Sequence, residues 1–221
     1  MGYNKQWENY TEKYQKLCME NDVIPDSLFK EYGVNRGLRD INGNGVLTGL
    51  TNISRIDSFC VKDGKKVPCD GKLWYRGYNV TDWISNIPKD SLGFGKTAYL
   101  LLFGKAPTAE EEKEFKELMG KGRALPTNFT RDVIMKAPSA NLMNGLQKSV
   151  LTLYSYDANP DDISVSNVLR QSLQLIAKLP LIAVYNYHAY RHFHFFDSLV
   201  IKPAKPELST AENILQMLRP N

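Results

Sequence analysis

A mainly α-helical fold with one small antiparallel β element near the N-terminus is the architecture this sequence predicts. Three observations carry it. Apolar residues recur at helical spacing along most of the 221 residues. One helical stretch, residues 165–196, is unusually long and rich in apolar and aromatic side chains. Alternating, β-branched runs are confined to residues 46–57 and 72–78, which read as two short strands. At 43% hydrophobic, the chain can bury a substantial core.

Residues 4–20 place Trp7, Tyr10, Tyr14, Leu17 and Cys18 on one helical face. Between the two strands, "KDGKKVPCDG" is expected as a charged, glycine-containing connection with a turn at Asp63-Gly64. Asn79 or Thr81 then caps a short helix over 80–87. "TAYLLLFGK", 97–105, reads as a buried helix closed by Gly104 and followed by Pro107. In "TAEEEKEFKELMGKG", Thr108 and Glu111 form a capping box, the acidic first turn suits the helix dipole, and Phe115, Leu118 and Met119 form one apolar stripe. Short helices follow at 127–136 and 141–156. The long helix carries Pro180, which removes a backbone hydrogen bond near "AKLPLIA" and is expected to bend it. After Pro203 and Pro206, "STAENILQML" starts a helix with Ser209 or Thr210 as cap and Glu212 in its first turn.

Twenty-eight basic residues against 24 acidic ones give a net charge of +4, too balanced for a nucleic-acid arm. The pI near 8.8 suits anionic small molecules without establishing them. No stretch reads as a signal peptide or approaches the roughly 18 apolar residues of a membrane span, so a cytoplasmic protein is expected and the sequons at Asn52, Asn79 and Asn128 carry no weight. Cys18, Cys60 and Cys69 lack CxxC spacing. They are read as free thiols of a reducing compartment, with a disulfide between Cys60 and Cys69 across the turn as the lesser reading.

Three motifs tempt a functional reading. "DINGNGVLTGLT", 40–51, fills EF-hand positions 1, 3, 5 and 6 with Asp40, Asn42, Asn44 and Gly45, but position 12 is Thr51, which offers no bidentate carboxylate. A turn leading into a strand is the reading kept. "GFGKT", 93–97, resembles the end of a phosphate-binding loop, but the required early glycine is Asp90 and no buried strand precedes it; a helix start with a solvated Lys96 is expected. "YHAYRHFHFFD" holds His188, His192 and His194. The first two share a helical face, yet no third ligand joins them, and a helix end where His and Arg191 meet the negative dipole pole is the simpler account. No metal site or catalytic residue is assigned, and no cofactor is expected.

Taken in order, the segments resemble a family. "GVLTGLTNISRID" followed by "GKLWYRGYNVTDW" resembles the opening of citrate synthases. "TAYLLLFGKAPTAEEEKEF" resembles their next helix pair, joined by Gly-x-x-Pro-Thr. "LIAKLPLIAVYNYHAYR" is similar to their proline-kinked helix, and "KPELSTAENILQML" to the helix before the catalytic half. The resemblance spans roughly residues 33–221. The long lead and the "DGKKVPCDG" insertion resemble a bacterial branch.

The resemblance implies part of a large helical domain, homodimerisation through helices within 141–196, and acetyl-CoA and oxaloacetate as substrates of the full enzyme in the tricarboxylic acid cycle. The family's alternative is 2-methylcitrate synthesis. Enolising an acyl-CoA methyl group needs a positioned base and a donor to the enolate oxygen, and arginines suit the carboxylates of oxaloacetate. The family places these groups in His-x-x-His, Pro-x-His-Gly and Pro-Gly-x-Gly-His motifs after the "AENILQML" helix, and none of these occurs here. Residues 1–221 are therefore expected to form the N-terminal part of the enzyme's large domain, with the catalytic half absent and no activity alone. The competing class is a helical interaction module without chemistry. A nucleotide-binding protein using Gly93–Thr97 is a third reading. Arg76, in "YRGY", is expected to bridge the β element to a carboxylate rather than to meet an anion.

Overall fold

A computed structural model describes residues 2–21, 23–34, 38, 49–88 and 93–219. The chain divides into two compact units, Lys16–Pro107 and Met1–Gln15 with Thr108–Asn221. Asp40 to Val46 and on to residue 48, the body of the calcium-like loop, lies outside the described residues.

Helix α1 is Gly2–Asn21, and its face of Trp7, Tyr10, Tyr14 and Cys18 is buried as the spacing predicts. In the Lys16–Pro107 unit it is followed by α2, Asp26–Glu31. The β element is larger than expected. Strand β1 is Ser54–Lys62, β2 is Lys65–Tyr75 and β3 is Tyr78–Asn79, antiparallel in the order β1-β2-β3. The expected connection is itself strand: only Asp63 and Gly64 turn, both with positive φ (51° and 74°), as a two-residue hairpin requires. The arms are mostly exposed on both faces, so the alternation that marks a half-buried strand is missing. Residues 49–53, expected as strand, are not.

Asn79, not Thr81, caps α3 (Val80–Ser85), accepting from the Thr81 amide. Helix α4 runs Gly93–Phe103, so "GFGKT" is its first turn. The Thr97 hydroxyl donates to the Gly93 carbonyl and accepts from the Trp83 indole, 2.9 Å each. Tyr99, Leu100 and Phe103 are fully buried, and Gly104 closes the helix at φ 75°.

In the other unit, α5 (Ala109–Gly122) opens with the Thr108–Glu111 capping box. Residues 130–135 form a π-helical turn rather than an α-helix. Helix α6 is Leu142–Tyr154, α7 is Val165–Phe195, and α8 is Thr210–Leu218 with a Ser209–Glu212 capping box. Pro180 lies within α7 and leaves the Ile176 carbonyl without its helical partner. The burial of Leu181, Ile182 and Val184 just beyond it offsets that loss. Phe129, Ile134, Leu181, Val184, Tyr185, Ala189 and Met217 form one core cluster.

Two glycines set close approaches here. A Cβ on Gly145 of α6 would fall 2.5 Å from Asn186 Oδ1 of α7, and one on Gly120 of α5 would fall 2.3 Å from the Pro206 carbonyl oxygen. Backbone cannot yield as a side chain can. Gly120→Ala is therefore expected to cost about 2 kcal/mol, despite the roughly 1 kcal/mol that alanine gains in helix propensity. Urea denaturation midpoints of the two proteins check this.

Candidate functional site

The residues singled out in the sequence do not converge. His188 Nε2 pairs with the Met217 carbonyl at 2.9 Å, and His192 Nδ1 with the Asp197 carbonyl at 2.7 Å. His194 packs against the Tyr190 ring. Arg191 meets Asp197 at 2.7 Å and lies over the Phe195 ring. This is a helix end, closed by Phe196 at φ 60°. Among the described residues no group of three or more His, Cys, Asp or Glu is placed to hold a metal ion.

Arg76 has a structural role. Among the described residues its guanidinium meets carbonyl oxygens. Nε and Nη2 donate to the Leu101 carbonyl at 3.2 and 2.9 Å, and Nη1 donates to the Asn21 carbonyl at 3.3 Å and to Asn52 Oδ1 at 2.8 Å. Leu101 and Asn21 stand in the last turns of α4 and α1, where carbonyls lack helical partners and the dipole favours a cation. The residue itself sits at φ 46°. Sequence pattern shows the arginine but not the helix ends that fold toward it.

A cavity of about 590 Å³ opens in the other unit, between the end of α6, the loop after it and the first half of α7. Tyr154, Asp157, Arg170, Gln171, Gln174 and Lys178 supply its polar lining. Sequence reasoning passed over it, because these residues lie on two helices and a loop and match no motif. The spacing of Arg170, Gln174 and Lys178, four apart on α7, is the one signal that would have found this face.

Arg170 organises the loop. Its Nη2 donates to both Asp157 oxygens at 2.7 and 2.8 Å, and its Nε to Asn167 Oδ1 at 2.9 Å. Gln171 donates to Asp157 Oδ2 and to the Pro160 carbonyl, 3.1 Å each. Asn167 donates to the Asn159 and Asp162 carbonyls at 2.9 and 2.7 Å. Burial works to raise the Asp157 carboxyl, but the Asn159 amide, Gln171 and Arg170 outweigh it and hold it below its ordinary 3.8. A carboxylate so fully supplied with donors is a poor base, so the cluster orders the loop rather than accepting a substrate proton.

Lys178 is 8% exposed, and its ammonium is lowered to about 8, first by burial, then by Arg170, with Asp157 opposing. A lysine whose folded pKa is depressed destabilises the fold while charged, and the cost is relieved as pH rises from about 8 toward the ordinary 10.5. Stability at pH 9.5 relative to pH 7 is thus expected to rise in the wild type against Lys178→Met, by as much as about 2 kcal/mol. Denaturation of both proteins at the two pH values checks the sign.

The family model for "Citrate synthase, C-terminal domain" matches residues 41–221. Citrate synthase of Thermoplasma acidophilum is 26% identical over 182 residues, 82% of this chain and 40% of that protein. 2-Methylcitrate synthase 1 of Corynebacterium glutamicum is 26% identical over 139 residues, 63% of this chain and 32% of that protein. The crystal structure of citrate synthase from Pyrobaculum aerophilum superposes with a TM-score of 0.63 at 26% identity, covering 82% of this chain and 44% of that one. The Thermoplasma acidophilum enzyme, solved as a ternary complex with carboxymethyl coenzyme A and oxaloacetate, shares the fold with a TM-score of 0.61 at 22% identity, covering 84% of this chain and 42% of that one. The chain spans less than half the length of these relatives. With the family match running over most of its residues and the fold following solved members, the chain belongs to the citrate synthase family.

Proposed function

We propose that this chain is part of a citrate synthase, an enzyme that condenses acetyl-CoA with oxaloacetate and water to give citrate and CoA. The observation that carries the reading is the family match over residues 41–221, which takes in the Tyr75-Arg76-Gly77 turn, the Thr108 capping box and the proline-bearing α7. Residues 1–221 are the N-terminal part of the enzyme's large domain in this reading. The acid–base groups come from elsewhere in this reading, with His188 and His192 paired to backbone carbonyls.

Two assays test this. Cells expressing the complete gene that carries these codons are expected to yield a lysate that releases CoA thiol from acetyl-CoA only when oxaloacetate is present. The purified 221 residues alone are expected to release none. Turnover by the purified chain would show that its own side chains do the chemistry. No release from the complete gene product would favour the helical interaction module. Similarity to 2-methylcitrate synthase 1 supports propionyl-CoA as the alternative acyl donor, and the same lysate assayed with both thioesters ranks them.

The working enzyme is proposed to be a cytoplasmic homodimer. Exposed Met143, Leu151 and Tyr154 on α6 and Val168 and Tyr187 on α7 supply apolar surface for self-association. Among the described residues no helix is long and apolar enough to cross a membrane.

A further inference from the structure

The β1–β2 hairpin brings together two thiols that the proposed reaction does not use. Cys60 faces Val67 across the ladder, and Cys69 stands two residues farther along β2. The register slips just there. Between the Asp57–Lys72 and Phe59–Pro68 pairs, Ser58 alone opposes Cys69, Asp70 and Gly71. The extra length in β2 gives the Cys69 backbone slack that a regular ladder would deny it. Cys60 is among the groups that act on the Cys69 thiol. Cys60 is half-buried and Cys69 exposed, and both are free.

We propose that Cys60 and Cys69 form a reversible dithiol–disulfide couple, a modification site on the hairpin that closes with a small-molecule disulfide of the glutathione type as oxidant. The exposed Cys69 thiolate attacks one sulfur of the oxidised glutathione. That S–S bond breaks, a mixed disulfide forms, and the first glutathione leaves and takes up a proton. The Cys60 thiolate then attacks the Cys69 sulfur, and the second glutathione leaves in the same way. Two protein thiols lose two electrons and one glutathione disulfide gains them. Desolvation, Cys60 and Asp57 push the Cys69 thiol up, with Lys72 opposing, so Cys69 exchanges through a small thiolate fraction. Cys18 is buried in α1 and takes no part.

The test is equilibration of the 221-residue chain in mixtures of reduced and oxidised glutathione, acid quenching and intact mass. The expected product is lighter by two hydrogen atoms. Trypsin, which cuts after Lys65 and Lys66 between the cysteines, should then leave the Cys60 and Cys69 peptides joined. Cys60→Ser should stop at the glutathione adduct, with about tenfold more adduct than wild type at the same ratio. Three results would overturn the proposal: wild type accumulating adduct as Cys60→Ser does, covalent dimers joined through Cys69, or no oxidation at any ratio.

Discussion

Arg170→Ala is expected to destabilise the Thr108–Asn221 unit by about 3–5 kcal/mol, because it leaves Asp157 charged, partly buried and short of its main cation. Arg170 and Asp157 are 17% and 14% exposed, so solvent screens them little. The loop between α6 and α7 depends on the same cluster through Asn167 and Gln171, and its order should fail with the arginine. Asp157→Asn tests the other half. A carboxylate held below its ordinary pKa contributes stability above 3.8 that is lost as pH falls through the folded value. The variant should therefore lose stability at pH 7 and show a flatter acid limb below about pH 4. Denaturant unfolding of both single variants and the double variant checks the coupling. Strictly additive costs would mean that the two residues act separately.

Arg76→Ala is the second large effect, with an expected loss of about 3 kcal/mol. One guanidinium meets carbonyls at the ends of α1 and α4 and the Asn52 side chain, and hydrogen bonds to a charged group each contribute about 1.5–3 kcal/mol. Arg76→Lys should recover only part, since an ammonium lacks the planar fork that spans the carbonyls. Arg76→Gly relaxes the positive φ and separates backbone strain from lost bonding. Unfolding midpoints of the three variants decide it. Wild-type stability in Arg76→Ala would return the residue to an anion-binding role.

The sequence by itself determined what local chemistry determines. Thr108 with Glu111 and Ser209 with Glu212 form the two capping boxes that their three-residue spacing announces, because a cap is made by neighbours in the chain. The buried face of α1 and the apolar α4 followed from 3.6-residue periodicity in the same way. The order of segments was specific enough to indicate the family.

The tertiary structure alone decided whatever depends on residues far apart. Lys65, Lys66, Val67, Pro68 and Cys69 carry no alternation, and they are strand because β1 pairs with them across the Asp63-Gly64 turn. Thr130–Met135 reads as an ordinary helical turn, and its wider winding has no mark in a period of six residues. Arg76 names a cation but not the two helix ends it joins, and Lys178 names a basic residue but not its burial. Capping and periodicity act within one turn of chain, where sequence order is also spatial order. Register, desolvation and the meeting of helix ends arise between segments, and only packing fixes which segments meet.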